Sequence, residues 1–461
     1  MLHNIFRNAL VAFSVLMWVL TSGCERDFSA HPAQQDLRFS ADTLSFDTIF
    51  VGQSTPTGHI TLINDGADDV SIANFALMGG EGSPFSVNVN GLPIDQAANL
   101  RLASGDSLYI FACLKNPTAE AGRAMSIVSD QIVVSDGANV WTAILWASVM
   151  NVTKCSGIIT NREEWLCDSI PYWIQDTLTV GPEATLFLGP GVSLLMNGAA
   201  AISVEGHLYA SGLTEAPVYI KHVRPDDFYD DIPGQWDGLH VLSNGQLTLF
   251  DTFVECSTNG IRVDSAATLK AHNLWVRHTS LSAISARKAN VSLVNTLLTT
   301  CGSSALALQG GTTSLLHVTI ADYFSWDYRH APAFSFSPQD TTEVPEPTSL
   351  SVANSIIVGN LSDEILPDSL PAEGVLFQNT LLRTSKKDAI NKDTVRFVNC
   401  VVTTDANFQD RANLDFHLTQ KSKAVGMADI NLANPAPLDF EGVMRLVTDS
   451  VQAGALQTVA Y

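Results

Sequence analysis

Basic residues are scarce in this chain. Twenty-five lysines and arginines stand against 47 aspartates and glutamates, a formal net charge of −22 over 461 residues. Such a balance leaves no electrostatic footprint for nucleic acid, and an anionic lipid surface would repel it. Charge of either sign is sparse at 16%, while apolar residues reach 46%, which argues against a disordered chain. No CxxC pair occurs among the seven cysteines, which argues against a zinc ribbon. Long hydrophobic runs are also missing. No stretch holds the roughly 18 apolar residues that a membrane-spanning helix needs.

The longest apolar run is ALVAFSVLMWVL (9–20), preceded by Arg7 and followed by TSGC ending at Cys24. At about 12 residues it is short for a span and suited to the core of a signal peptide. Gly-Cys after small residues resembles a bacterial lipobox, with Thr21 where a leucine is usual. The expectation is a signal peptide over 1–23, lipidation of Cys24, and a polar tether over 24–36. Each buried CH₂ of the acyl chains would contribute ~0.8 kcal/mol of membrane affinity. The chain is then exported and lipid-anchored at the outer membrane or cell surface.

Of the other cysteines, Cys155 and Cys167 alone are close in sequence. A disulfide between them is a candidate in an oxidising compartment, although spacing does not establish geometry. Cys256, Cys301 and Cys400 read as small buried apolar side chains.

Residues 37–150 alternate apolar and polar side chains in short runs, among them LRFSADTLSFDTIFVG, HITLINDG and DSLYIFACL. Turn signals fall every 8–15 residues. That pattern predicts a β-sandwich.

From 151 onward a period takes over. Asp251, Asn273, Asn295 and His317 follow one another at intervals of 22 residues, each inside an apolar run. The same slot returns at Asn354, Asn379 and Asn399. Leu247, Leu269, Val291 and Thr313 stand four residues before it, and Val254, Val276, Leu298 and Ile320 stand three after. Apolar positions at even offsets before the slot and odd offsets after it mean two strands meeting at a corner. A third strand opens each unit. Three short strands per repeat of this length predict a parallel β-helix whose turns stack ~4.8 Å apart. The polar slot is its corner: Asn tolerates left-handed backbone, and stacked amides can bond in a ladder. The fold class expected is therefore all-β, an N-terminal β-sandwich followed by a right-handed parallel β-helix over 151–461, with an aromatic insertion near 322–349 and a C-terminal cap.

Three stretches carry a resemblance. PGQWDGL (233–239), LTVGPEATLFLGPGVSLLM (178–196) and the terminal DFHL…AVG…DFEG…R…AG resemble bacterial lipoproteins with right-handed parallel β-helix repeats. In the first domain, Phe46–Gly52, the Leu62–Gly66 stretch and Gly105–Ser107 resemble the abnormal-spindle-like immunoglobulin fold. The resemblance implies an outer-membrane or surface lipoprotein and implies no activity.

Chemistry is thinly signalled. RPDDFYDD (224–231) gathers Asp226, Asp227, Asp230 and Asp231, which could hold Ca²⁺ or form a solvated loop. No other cofactor is suggested. DYFSWDYRHAPAFSFSP (322–338) offers Tyr323, Trp326 and Tyr328 as a platform for sugar faces or a protein partner; alternatively its rings fold back over the helix side. The reading that follows is a lipid-anchored envelope protein with a structural, adhesive, glycan-binding or partner-binding role. A polysaccharide lyase or glycoside hydrolase is the alternative.

Overall fold

The structure, a computed structural model, describes residues 37–120, 122–224, 227–337, 348–445 and 451–458. The expected signal peptide, Cys24, the tether and Asp226 lie outside these residues. No helix among the described residues is long and apolar enough to cross a membrane. The chain divides into two compact units, one ending near residue 149 and the other running from there to the end, with 119–125 belonging to the second.

The first unit holds two five-stranded sheets. One takes the order Leu37–Phe39, Gly58–Asn64, Ser107–Leu114, Phe85–Val89, Leu92–Pro93; the other runs Thr43–Phe50, Val140–Met150, Met125–Ser135, Val70–Leu77, Ala98–Leu102. Alternation decides the faces. In Ser107–Leu114 the residues Leu108, Ile110, Ala112 and Leu114 are buried while Tyr109 and Phe111 look outward. Asn64 fixes the turn after Gly58–Asn64. Its buried amide donates to the carbonyls of Asp68, Leu102 and Ala103, and its carbonyl accepts from Gly66 N.

The second unit is a parallel β-solenoid of about 11 turns, its 25 strands forming one continuous hydrogen-bonded ladder. Each strand pairs in parallel with its counterpart one turn on. Leu247 aligns with Leu269, then Val291, Thr313, Leu350 and Val375. Beyond the corner Ile220 aligns with Val254, Val276, Leu298, Ile320, Ile357 and Leu382. Both columns point inward and are buried, so one apolar core runs the length of the solenoid. Each Leu, Ile or Val removed from water contributes ~1.5–3 kcal/mol, and repetition makes the sum large.

All seven corner residues are left-handed, with φ of 42° at Asp251, 55° at Asn273, 47° at Asn295, 53° at His317, 48° at Asn354, 49° at Asn379 and 52° at Asn399. The ladder they form is interrupted. Asn273 Nδ2 donates to Asp251 Oδ1 at 2.9 Å and Asn295 Nδ2 to Asn273 Oδ1 at 3.1 Å. Asn354 Nδ2 and His317 Nε2 lie 3.2 Å apart. The corners also bond to the C-terminal segment: Asn295 donates to Leu438 O, Asn354 to Asp429 O and Asn379 to Met427 O.

The C-terminal segment lies along the side of the solenoid, over the corners. The reason is an apolar outward row on the strand after each corner: Tyr219, Phe253, Trp275, Leu297, Thr319, Ile356, Leu381. Phe440 meets Phe253 and Trp275 edge-on, Phe416 meets Trp275, and Ala424, Ala453, Ala455 and Leu456 join Leu297, Ile356 and Leu381 in a second core. Gly454 marks the closest approach. A Cβ there would stand 2.7 Å from Thr319 Oγ1 and 2.9 Å from Ile356 Cδ1.

Two corrections concern covalent and local structure. Cys155 and Cys167 are both free thiols. Cys155 lies on Thr153–Ile159, aligned with Ile174, whereas Cys167 follows the next strand and sits beside Gly191. The aromatic insertion is also shorter than its sequence suggests. Phe334–Phe336 rejoins the solenoid as a regular rung paired with Leu306–Leu308, because Phe-Ser-Phe presents two rings inward.

Candidate functional site

The strand after each corner has a second outward row two residues beyond the apolar one: Glu255, Arg277, Thr299, Ala321, Val358. Beside it a groove of about 690 Å³ opens, walled by Arg277, His278 and Thr300 on the coils, Tyr323, Ser325 and Trp326 on the insertion, and 411–414 of the C-terminal segment. Asp231 and Asn360 complete it.

The insertion wall is fixed by a buried ion cluster. Arg329 reaches Glu364 through both arms, Nη1 to Oε2 at 2.8 Å and Nη2 to Oε1 at 2.5 Å. Glu364 also accepts from the backbone N–H of Ala333 and Leu361. Asp322 lies 3.4 Å from Arg329 Nε and accepts from Cys301 N. Burial pushes the Asp322 carboxyl up to about 7, with Arg329 opposing the shift. Removing one member of such a cluster leaves a buried charge uncompensated, so Tyr323–Tyr328 is held by a costly-to-break clamp.

On the coil wall, Arg277 directs Nε and Nη2 to one oxygen of Glu255, at 2.8 and 2.7 Å, and its guanidinium lies 5.0 Å from the Trp275 ring. His278 has left-handed backbone and a nearly buried ring. Its Nε2 is 3.2 Å from Asp231 Oδ1, but neither ring nitrogen makes a well-directed hydrogen bond. Burial, then Arg277, push His278 down to about 4, against the pull of Asp231. The ring is therefore neutral at pH 7.

Tyr323 is half-buried, its ring edge-on to Phe408 and its hydroxyl enclosed near the Arg411 guanidinium. Burial raises that hydroxyl above its ordinary value. The Arg411 guanidinium lies over the same ring, 4.9 Å from its centre. Arg411 is set by the turn Arg411–Asn413, whose backbone N–H groups of Ala412 and Asn413 bond to Asp410. Trp326 is 55% exposed, a large apolar face left in water between these polar walls.

The groove thus gathers Asp231, Tyr323 and Trp326 from the sequence candidates. Tyr328 stands outside it, 79% exposed beside His330. The remaining rings of the insertion divide from these two. Phe324 is buried, and Phe334 and Phe336 point into the solenoid core, so the stretch is part platform and part packing. The acidic run does not converge. Asp230 turns from the groove toward His222 at 3.3 Å and Lys221 at 3.7 Å, on the rim of a smaller 370 Å³ pocket. Asp227 lies in a single helical turn, Asp227–Tyr229. Among the described residues no group of three or more His, Cys, Asp or Glu side chains is placed to hold a metal ion.

Arg329, Glu364 and Arg411 carry no signal in the sequence. An arginine inside an aromatic-rich insertion was the one available hint, since a charge among buried rings needs a partner.

No protein-family model matches the chain, and no curated protein sequence does. Among solved structures, a family 123 glycoside hydrolase from Clostridium perfringens aligns at 12% identity over 27% of this chain and 26% of its own, with a TM-score of 0.19. The E. coli chaperone DraB aligns at 12% identity over 27% of this chain and 58% of its own, with a TM-score of 0.18. Neither likeness is close enough to bear on fold or function.

Proposed function

We propose that this chain is a glycan-binding β-solenoid of the cell envelope, tethered through lipid on Cys24, which holds an extended sugar chain in the lateral groove. One observation carries the reading: Trp326 is left open to water in a groove whose other walls are arginine, tyrosine, histidine and asparagine. An aromatic face stacks on the C–H face of a sugar ring, and the surrounding donors bond its hydroxyls. The rigid Arg329–Glu364 clamp supports this by holding the aromatic wall in place before any ligand arrives.

Binding is favoured over hydrolysis by the composition of the groove. Paired-carboxylate hydrolysis needs two acidic groups across the scissile bond. Asp231 is the one carboxylate among the lining residues. The test is the purified protein against a polysaccharide panel, with and without Ca²⁺, scored for binding and for product release. Binding without product, unchanged by Ca²⁺, supports the reading; released oligosaccharide or reducing ends would replace it with an enzyme.

A further inference from the structure

We propose that the groove selects acidic glycans, with Arg411 and Arg277 holding the carboxylate of a uronic acid residue while the sugar chain lies on Trp326; this rests on the glycan-binding reading above. The charge distribution points there. Lysine and arginine together number 25 in a chain of net charge −22. Two of those arginines nonetheless face one groove. The sole lining carboxylate, Asp231, faces His278 and is largely in solvent.

Both arginines are poised rather than spent. Arg277 gives Nε and Nη2 to Glu255, and its Nη1 has no partner among the described residues. Arg411 has no carboxylate partner among the described residues, and its plane is held by the Tyr323 ring. A guanidinium so held presents a flat fork of donors that matches a planar carboxylate. The wall supplies a second, independent sign of a ligand. Both ring nitrogens of the nearly buried His278 are enclosed polar atoms without a well-directed hydrogen-bond partner. Groups of that kind are rarely left unsatisfied in a native site, and sugar hydroxyls are suited to complete them.

The experiment is calorimetric titration of the purified protein with hexamers of galacturonate, mannuronate and guluronate, each beside its methyl ester, and with neutral and sulfated glucan hexamers. The methyl ester keeps the shape and removes the charge. At least one uronate is expected to bind about tenfold or more tightly than its ester, since charge-assisted hydrogen bonds are about twice as strong as neutral ones. That preference should shrink as salt rises. Arg411→Gln should bring the uronate down to the ester's affinity without shifting the melting temperature. Equal binding of uronate and ester, or preference for the neutral or sulfated hexamer, overturns carboxylate selectivity and leaves glycan binding standing. Failure of every hexamer to bind overturns both.

Discussion

On the strand that follows each corner, two outward rows run side by side, two residues apart, and they meet different fates. The row Phe253, Trp275, Leu297, Ile356, Leu381 is apolar and lies under the C-terminal segment. The row Glu255, Arg277, Thr299 is polar at the same turns; Arg277 lines an open groove, while Glu255 and Thr299 are buried beside it. Backbone and register are the same for both. Side chains alone decide which is covered, because apolar surface left in water costs ~25 cal/mol per Å² while a solvated guanidinium costs nothing until it is buried without a partner. A solenoid can therefore write cover and site on one sheet, strand position by strand position.

That contrast can be broken from its supports inward. Glu364→Gln should have the largest effect, about 3–5 kcal/mol of lost stability, because it breaks the two-armed pair of the buried Arg329 and leaves Asp322, 3.4 Å away, as its one counter-charge. Urea denaturation measures it, and a loss under 1 kcal/mol would show that the clamp is not structural. Gly454→Val attacks the covered row. It adds bulk where a Cβ already meets Thr319 and Ile356, and imposes a β-branched side chain on backbone at φ 96°. About 1–3 kcal/mol is expected, with early protease cleavage between 403 and 458. Uniform resistance along the chain would contradict the cover. Asn295→Leu should cost about 1–3 kcal/mol, since it deprives Asn273, Leu438 and Arg445 of a shared partner. Its melting temperature should fall while groove binding is kept.

The two regions should also differ in their response to pH. Burial pushes His278 down to about 4 and His317 to about 3, and lowers His207, His222, His240 and His272. These rings stay neutral in the fold while the unfolded chain takes up protons below about 6.5. The stability they contribute is complete above that value and is lost as pH falls toward 4. His417, in the cover, has the opposite sign. Glu441, then Asp415, raise it to about 9. Its contribution is complete below about 6.5 and is lost as pH rises through 9. Thermal melts from pH 4 to 8, below the range where the buried thiols add their own loss, should show acid loss in the wild type and His417→Gln alike, and loss from about pH 6.5 upward in the wild type alone.

The solenoid was legible in the sequence because its information is periodic. Corner residues, inward columns and strand boundaries recur at nearly fixed spacing, and all seven corners from Asp251 to Asn399 take the left-handed backbone that their slot requires. The groove was legible only in part. Tyr323, Trp326 and Asp231 stood out by composition, but their convergence depends on contacts the period does not encode. Glu364 lies 35 residues from Arg329, and Leu438 lies 143 from the corner it satisfies. Arg411 reaches the groove from a hairpin with no repeat of its own, Phe408–Asp410 paired with Asp415–Leu418. The same limit explains the terminal segment. Its DFHL…AG stretch signals that the chain is closing, not which face it will close over.

The central claim is that the open groove beside the covered row is a binding site, and Trp326→Ala tests it most directly. Truncating a ring that is 55% exposed should change stability by no more than about 0.5 kcal/mol. Titration of the variant with whichever glycan the wild type binds should show affinity lost by about tenfold or more, at an unchanged melting temperature. Wild-type affinity in Trp326→Ala would contradict the account.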